Sequence, residues 1–239
     1  MQTEISKSRP ASDAKSLATL RVDVIADLVC PWCYIGKRRL DRALGAVYGP
    51  AAVTWYPYQL NPDMPAEGMS LDAYLAERIG SPAAAEQALA ELSKIGDAEG
   101  IRFAFDRIQR VPNTLPAHKL MYLAQSKGAD PGALAETLMQ RFFEHGRDIS
   151  DTDVLVSVGQ LHGLAPADVR GALEDDAVTR IVLNQEKQMR GSGVAGVPAF
   201  LVNQQLFVSG AHDTDVLVSM FDRAMFGTAE LEDKQADLH

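Results

Sequence analysis

Apolar and polar positions divide the chain into an α/β opening, a helical middle and an α/β close. Residues 21–29 are mostly apolar and β-branched, which predicts a buried strand. A helix over 30–48 follows, with Ile35, Leu40, Leu44 and Val47 on an imperfect apolar face and Gly49-Pro50 as its stop. Residues 53–60 predict a second strand, in which Pro57 points to an edge or a bulge. Strand, helix and strand in this order begin a right-handed βαβ unit.

From residue 61 to 174 the periodicity is helical, with almost no convincing strand. Residues 83–99 are rich in Ala, Glu and Leu. Asp130-Pro131 fits a cap with proline at the first helical position, followed by Leu134, Leu138 and Phe142 on one face. Asp151 caps a helix expected to turn Val154, Leu155, Val158 and Leu161 inward before Gly163, and Ala165-Pro166 opens another. The α/β pattern returns with a helix over 176–190, its apolar side Val178, Ile181, Val182 and Met189. A glycine-rich loop over 191–197 leads to a strand over 198–202, a turn at Asn203-Gln204-Gln205 and a hairpin partner over 206–208. A last helix, 213–226, is expected to pack through Val216, Leu217, Met220, Phe221 and Ala224. The domain reading is an extension over 1–20, a discontinuous α/β domain over 21–60 and 175–227, a helical insertion over 61–174, and a loose tail over 228–239.

Composition narrows the function classes. The chain has 239 residues, 46% hydrophobic and 23% charged, enough for a full core. Its net charge of −9 argues against nucleic acid or an anionic membrane as partner, since both demand a basic face. No apolar stretch approaches the ~18–20 residues of a membrane span. The first twenty residues carry Glu4, Lys7, Arg9, Asp13 and Lys15 and lack a signal peptide's apolar region. The expected compartment is the cytoplasm.

The chain's two cysteines stand as Cys30-Pro31-Trp32-Cys33, where the first strand runs into the first helix. Unpaired N–H groups and the helix dipole there favour a thiolate, and a second thiol three residues on permits disulfide exchange. Pro31 costs little at the start of a helix, where its missing N–H would be unpaired anyway. Trp32 offers a flat surface at the mouth of the site. A zinc site would need two more ligands, and His118, His145, His162 and His212 lack the spacing.

The segment from Asp27 to Leu40, DLVCPWCYIGKRRL, resembles the active-site segment of the DsbA-like thioredoxin superfamily, in its FrnE-like branch. Gly196–Asn203, GVPAFLVN, resembles that family's second signature, and Asn113-Thr114 with Ala117-His118 a third. The resemblance implies a thioredoxin-like sheet with a helical domain inserted between the second strand and the following helix. It further implies a cis peptide before Pro198, with Val197 and Pro198 beside the sulfurs, Cys30 as an exposed attacking thiolate and Cys33 as the deeper resolving thiol. The closing segment ends in His212, where the family more often has Gln.

Several residues carry two readings. Asp27 is a proton acceptor for Cys33 or, by preference, a cap of the turn into the helix. Lys37, Arg38, Arg39 and Arg42 attract an acidic substrate such as glutathione or, by preference, form a solvated face. Asn113 and Thr114 cap a helix carrying a packed His118, or Asn113 and His118 contact substrate near the disulfide. The leading expectation is a thiol–disulfide oxidoreductase acting on a thiol- or disulfide-bearing protein or small molecule, with no tightly bound cofactor and glutathione admitted as co-substrate. An oligomer is compatible with the chain. The alternatives are a glutathione-dependent isomerase or transferase of the 2-hydroxychromene-2-carboxylate isomerase and kappa type, and a non-catalytic chaperone-like binding module.

Overall fold

The computed structural model describes residues 19–227, so the expected extension as far as residue 18 and the expected tail over 228–239 lie outside the described residues. Leu20, left in the extension by the sequence reading, is buried and opens strand β1 (Leu20–Ala26). Helix α1 (Pro31–Ala46) then crosses to β2 (Ala51–Pro57), which pairs with β1 in parallel. The C-terminal hairpin of β5 (Ala199–Val202) and β6 (Leu206–Ser209) completes the sheet, in the order β2-β1-β5-β6. Central β1 buries one face along its length and the other only toward its C-terminal end, Arg21 being exposed. Leu20, Val22, Val24 and Ala26 join the large core with α1 and the last helix, α9 (Thr214–Phe226). Ile25 faces the other way, toward Tyr58, Val194 and Ala199.

Pro57 does lie on an edge strand. The side-chain amide of Gln125 covers that edge, accepting from the Trp55 N–H at 2.8 Å and donating to its carbonyl at 2.9 Å. At the hairpin, Asn203 and Gln204 take φ of 49° and 57°, a left-handed pair suited to a tight two-strand turn. The Asn203 side chain accepts from the Arg21 N–H and donates to the Ala224 carbonyl, tying the hairpin to β1 and α9.

The inserted segment holds α2 (Leu71–Arg78), α3 (Pro82–Ala98), α4 (Leu115–Ser126), α5 (Pro131–Phe143), α6 (Thr152–Leu161) and α7 (Pro166–Glu174). It also holds two short strands absent from the sequence reading, β3 (Met69–Ser70) and β4 (Arg110–Val111), each two residues long and too brief to leave an alternating pattern. Asp130 and Asp151 cap α5 and α6 as expected, and Leu134, Leu138 and Phe142 are buried. Three expected core residues are instead exposed: Leu161, Ile181 and Val216. Each sits one step off the buried row of its helix. In α6 that row turns toward Val156 and Gly159, and a Cβ at Gly159 would come within 2.6 Å of Val169. In α8 (Asp176–Gly191) the buried pair is Val182 and Glu186, and in α9 it is Leu217 and Phe221.

Of the stripe Lys37, Arg38, Arg39 and Arg42, expected as a solvated face, only Arg42 is exposed, and all four pair with carboxylates. The stripe docks the insertion onto α1. Lys37 is buried between Asp41 and Glu136, at 2.6 and 2.9 Å, and Arg38 meets Glu136 at 2.6 Å. Arg39 bridges Glu99 at 2.6 Å and Asp213 at 2.8 Å, and Arg42 also pairs with Glu99. Burial alone would raise the Glu99 carboxyl, but the two guanidinium groups overcome it and hold the acid below its ordinary value. Beside these charges Tyr34 packs against Phe103 and Phe143, its hydroxyl donating to Glu144 at 2.7 Å.

Candidate active site

The site is built where β1 hands the chain to α1. Asp27, Leu28 and Val29 make the turn, with the Cys30 N–H donating to the Asp27 carbonyl at 3.3 Å. Cys30 is the N-cap of α1, Pro31 is its first residue, and the Cys30 carbonyl accepts from the N–H groups of Cys33 and Tyr34. Both cysteines are free thiols. The helix geometry expected from the sequence is therefore present, with the first sulfur at the positive end of a four-turn helix.

One expectation is corrected. Cys30, read as exposed, is only 3% exposed, against 1% for Cys33. Its thiol lies beneath the Pro198 loop, directed at the Val197 carbonyl over 3.8 Å. Trp32, two residues on, is 44% exposed and marks where the site meets solvent. Burial pushes the Cys33 thiol well above its ordinary value, and the neighbouring Cys30 and the Asp27 charge add to the rise. A hydrogen bond from the Asp27 backbone works the other way and outweighs that charge, but not the burial. Cys33 therefore holds its proton more firmly than a free thiol does.

The Val197–Pro198 peptide is cis, and Val197 and Pro198 lie beside the dithiol end of α1 as the resemblance implied. Gly36 is what allows this closeness. A Cβ at position 36 would sit 2.8 Å from Pro198 Cγ and 3.5 Å from the Ala211 Cβ. The role of Gly36 was missed in the sequence, although its place on the inward side of α1, one turn after Cys33, was a usable signal.

Asn113 is spent on structure. Its Oδ1 accepts from the Leu115 N–H at the start of α4 and its Nδ2 donates to the Met64 carbonyl. Thr114 occupies the formal cap position without a side-chain hydrogen bond. His118, 4% exposed, is brought beneath the site, with Nε2 3.5 Å from Asp27 Oδ1. Asp27 is wholly buried, and its Oδ2 accepts from the Leu60 N–H at 2.7 Å. Its carboxylate thus reaches across to the chain after β2, while the turn into α1 is held by its backbone carbonyl. Next to Leu60, Gln59 is gripped by Glu186 through both its N–H and its amide at 2.8 Å. Arg190 pairs with Glu186 and stacks on Tyr58. His212 points to the Ser209 carbonyl at 2.9 Å and closes the hairpin end. Among the described residues no cluster of three or more His, Cys, Asp or Glu could hold a metal ion, and no helix is long and apolar enough to cross a membrane.

Residues 21–222 match the family model of the DSBA-like thioredoxin domain. A probable DsbA oxidoreductase from Streptomyces coelicolor is similar in structure, with a TM-score of 0.79 and 28% identity over 86% of this chain and 89% of that one. A 2-hydroxychromene-2-carboxylate isomerase shares the fold, with a TM-score of 0.65 and 18% identity over 92% and 99% of the two chains. The uncharacterized protein YwbO of Bacillus subtilis is 24% identical over 205 residues, 83% of this chain and 94% of its own. A match spanning both halves of the sheet, the intervening helices and the dithiol places this chain in the DSBA-like thioredoxin domain family.

Proposed function

We propose that this protein is a dithiol oxidoreductase of the FrnE-like branch, exchanging disulfides with a thiol- or disulfide-bearing protein or small molecule in the cytoplasm. The observation that carries the reading is the pair of free thiols at the start of α1, with Cys30 beneath the Val197 carbonyl and Cys33 held as a thiol by burial. In reduction of a bound disulfide, Cys30 sulfur attacks one sulfur of the substrate and the other departs as a thiolate. Cys33 then loses its proton and attacks Cys30, forming the Cys30–Cys33 bond and releasing the second substrate sulfur. The dithiol is oxidised by two electrons and the substrate disulfide is reduced by two. Substrate oxidation is the same path reversed.

Support for a two-step exchange comes from the asymmetry of the pair: one sulfur at the helix cap, the other deeper and proton-retaining. Cys30 must be uncovered for the first step, and the Pro198 loop and exposed Trp32 are the groups that border its approach. Glutathione fits as the small-molecule member of the substrate class, since it presents a thiol or disulfide without needing a cofactor site.

The test is insulin reduction and oxidised-glutathione turnover by the reduced full chain, repeated with Cys30→Ser and Cys33→Ser. Loss of turnover in Cys30→Ser, with a trapped mixed disulfide in Cys33→Ser, is expected. Unchanged turnover in Cys30→Ser would refute the reading. Glutathione binding with no dithiol turnover in the unaltered chain would favour the isomerase or transferase alternative. Prevention of client aggregation that survives both substitutions, again without turnover, would favour the chaperone-like one.

A further inference from the structure

Closing the Cys30–Cys33 bond requires Cys33 to release a proton while a substrate is still joined to Cys30 and covers the approach beside Trp32. Asp27, which acts on the Cys33 thiol, and His118 behind it are two buried polar groups not fully engaged by the fold. Asp27 uses Oδ2 on the Leu60 N–H, which leaves Oδ1 facing His118 Nε2 at 3.5 Å. Neither of these atoms has a hydrogen-bond partner in the described structure, although both are buried. Facing orphans just beyond bonding distance are uncommon in a folded interior and need a reason.

A reason lies in what else His118 borders. His118 lines a small cavity whose outer side is formed by the half-buried Tyr56, Tyr122, Gln125 and Gln185. It offers about 10 Å³ to the centre of a water molecule, room for one water with polar partners. Trp32 and Val197 do not line it, so a substrate docked against them leaves it open.

Resting on the dithiol reading above, we propose that His118 is the positioning residue of a proton path that bypasses the substrate. As Cys33 attacks Cys30, its proton passes to the Asp27 carboxylate, Asp27 hands a proton to His118, and His118 hands one to a water entering the cavity it lines. The Cys30–Cys33 bond forms, the bond from Cys30 to the substrate breaks, and the substrate sulfur leaves with the electron pair. When the protein runs in the oxidising direction, the proton returns by the same atoms. The titratable or charged groups around this path are Cys30 and Cys33 from α1, Tyr56 from β2 and Tyr122 from α4. From α8 come neutral Gln185 at the rim and the Glu186–Arg190 pair, which is engaged with Gln59.

The experiment mixes the reduced full chain with 5,5′-dithiobis(2-nitrobenzoate) in a stopped-flow instrument across the pH range. The first aryl thiol reports attack by Cys30 and the second reports closure by Cys33. His118→Asn is expected to leave the first phase nearly unchanged. It should slow the second roughly 10-fold and flatten its pH dependence, a smaller loss than removing a direct proton acceptor because Asp27 remains. In mixtures of H₂O and D₂O, the second phase of the unaltered protein is expected to give a bowed proton inventory, because more than one proton moves together. A straight inventory, or a His118→Asn variant with both phases and the pH profile intact, would overturn the proposal. If His118→Asn does not fold, the inventory of the unaltered protein decides alone. Absence of the first phase in the unaltered protein would instead refute the dithiol reading itself.

Discussion

Two polar regions lie against the same helix and differ in how tightly their partners meet. Along the seam between α1 and the insertion, the cations Lys37, Arg38 and Arg39 meet carboxylates at 2.6–2.9 Å. Beneath the dithiol, Asp27 and His118 stop at 3.5 Å with an orphan atom on each. The seam's charges meet at short range even though Arg38 Nε also lacks a hydrogen-bond partner, and an unmatched charge there would cost several kcal/mol. Asp27 is left short of a full partner, which keeps one carboxylate oxygen available to chemistry. The tight pairs thus lie along α1 itself, and the looser one lies in the turn before it and on α4.

Substitutions should separate the two regions. The largest effect is expected for Glu136→Ala, which strips Lys37 and Arg38 of their shared partner and should cost about 3 kcal/mol in denaturant unfolding. Exchange by the molecules that remain folded should be nearly normal. Next comes Gly36→Ala. The new methyl collides with the Pro198 ring, and a cost of about 2 kcal/mol should appear together with slower dithiol exchange. This variant alone links the two properties, because Gly36 serves both packing and the site. Glu99→Gln should cost about 1.5 kcal/mol at neutral pH through weaker bonds to Arg39 and Arg42. Because Glu99 is held below its ordinary value, its contribution is complete above the unfolded Glu value of about 4.3. It is lost as pH falls through the lower folded value. Unfolding curves of Glu99→Gln and the unaltered chain should therefore converge in acid; a constant gap down to low pH would contradict the seam as described. The smallest stability effect is expected for Asp27→Asn, under about 1 kcal/mol, because an amide oxygen still accepts from the Leu60 N–H. Its closure phase should nonetheless slow, which is the reverse of the Glu136 pattern.

Much of this arrangement was legible in the sequence, for reasons that can be traced. The strand-to-helix placement of Cys30, the caps at Asp130 and Asp151, and the edge position of Pro57 all follow from local chemistry with short reach. The inserted helices announced themselves through periodicity. What stayed hidden was long-range. The basic stripe on α1 reads as solvated until Glu99 and Glu136, roughly 60 and 100 residues away, are folded against it. Asp27 reads as a local cap because nothing nearby in sequence identifies Leu60 or His118 as its partners. The burial of Cys30 depends on a loop from the far end of the chain, and local spacing carries no trace of that loop's distance from the sulfur.

That separation in sequence has a consequence during synthesis. Cys30 and Cys33 are made near the beginning of the chain, while Val197 and Pro198, which cover Cys30, come near its end. At ordinary elongation rates the ribosome needs roughly 10–30 s to travel between them. Through that interval β1 has its neighbour β2 but lacks β5, and the nascent dithiol stands without its roof. The Cys30 thiol therefore gains its cover only once the loop before β5 has been made and folded against it.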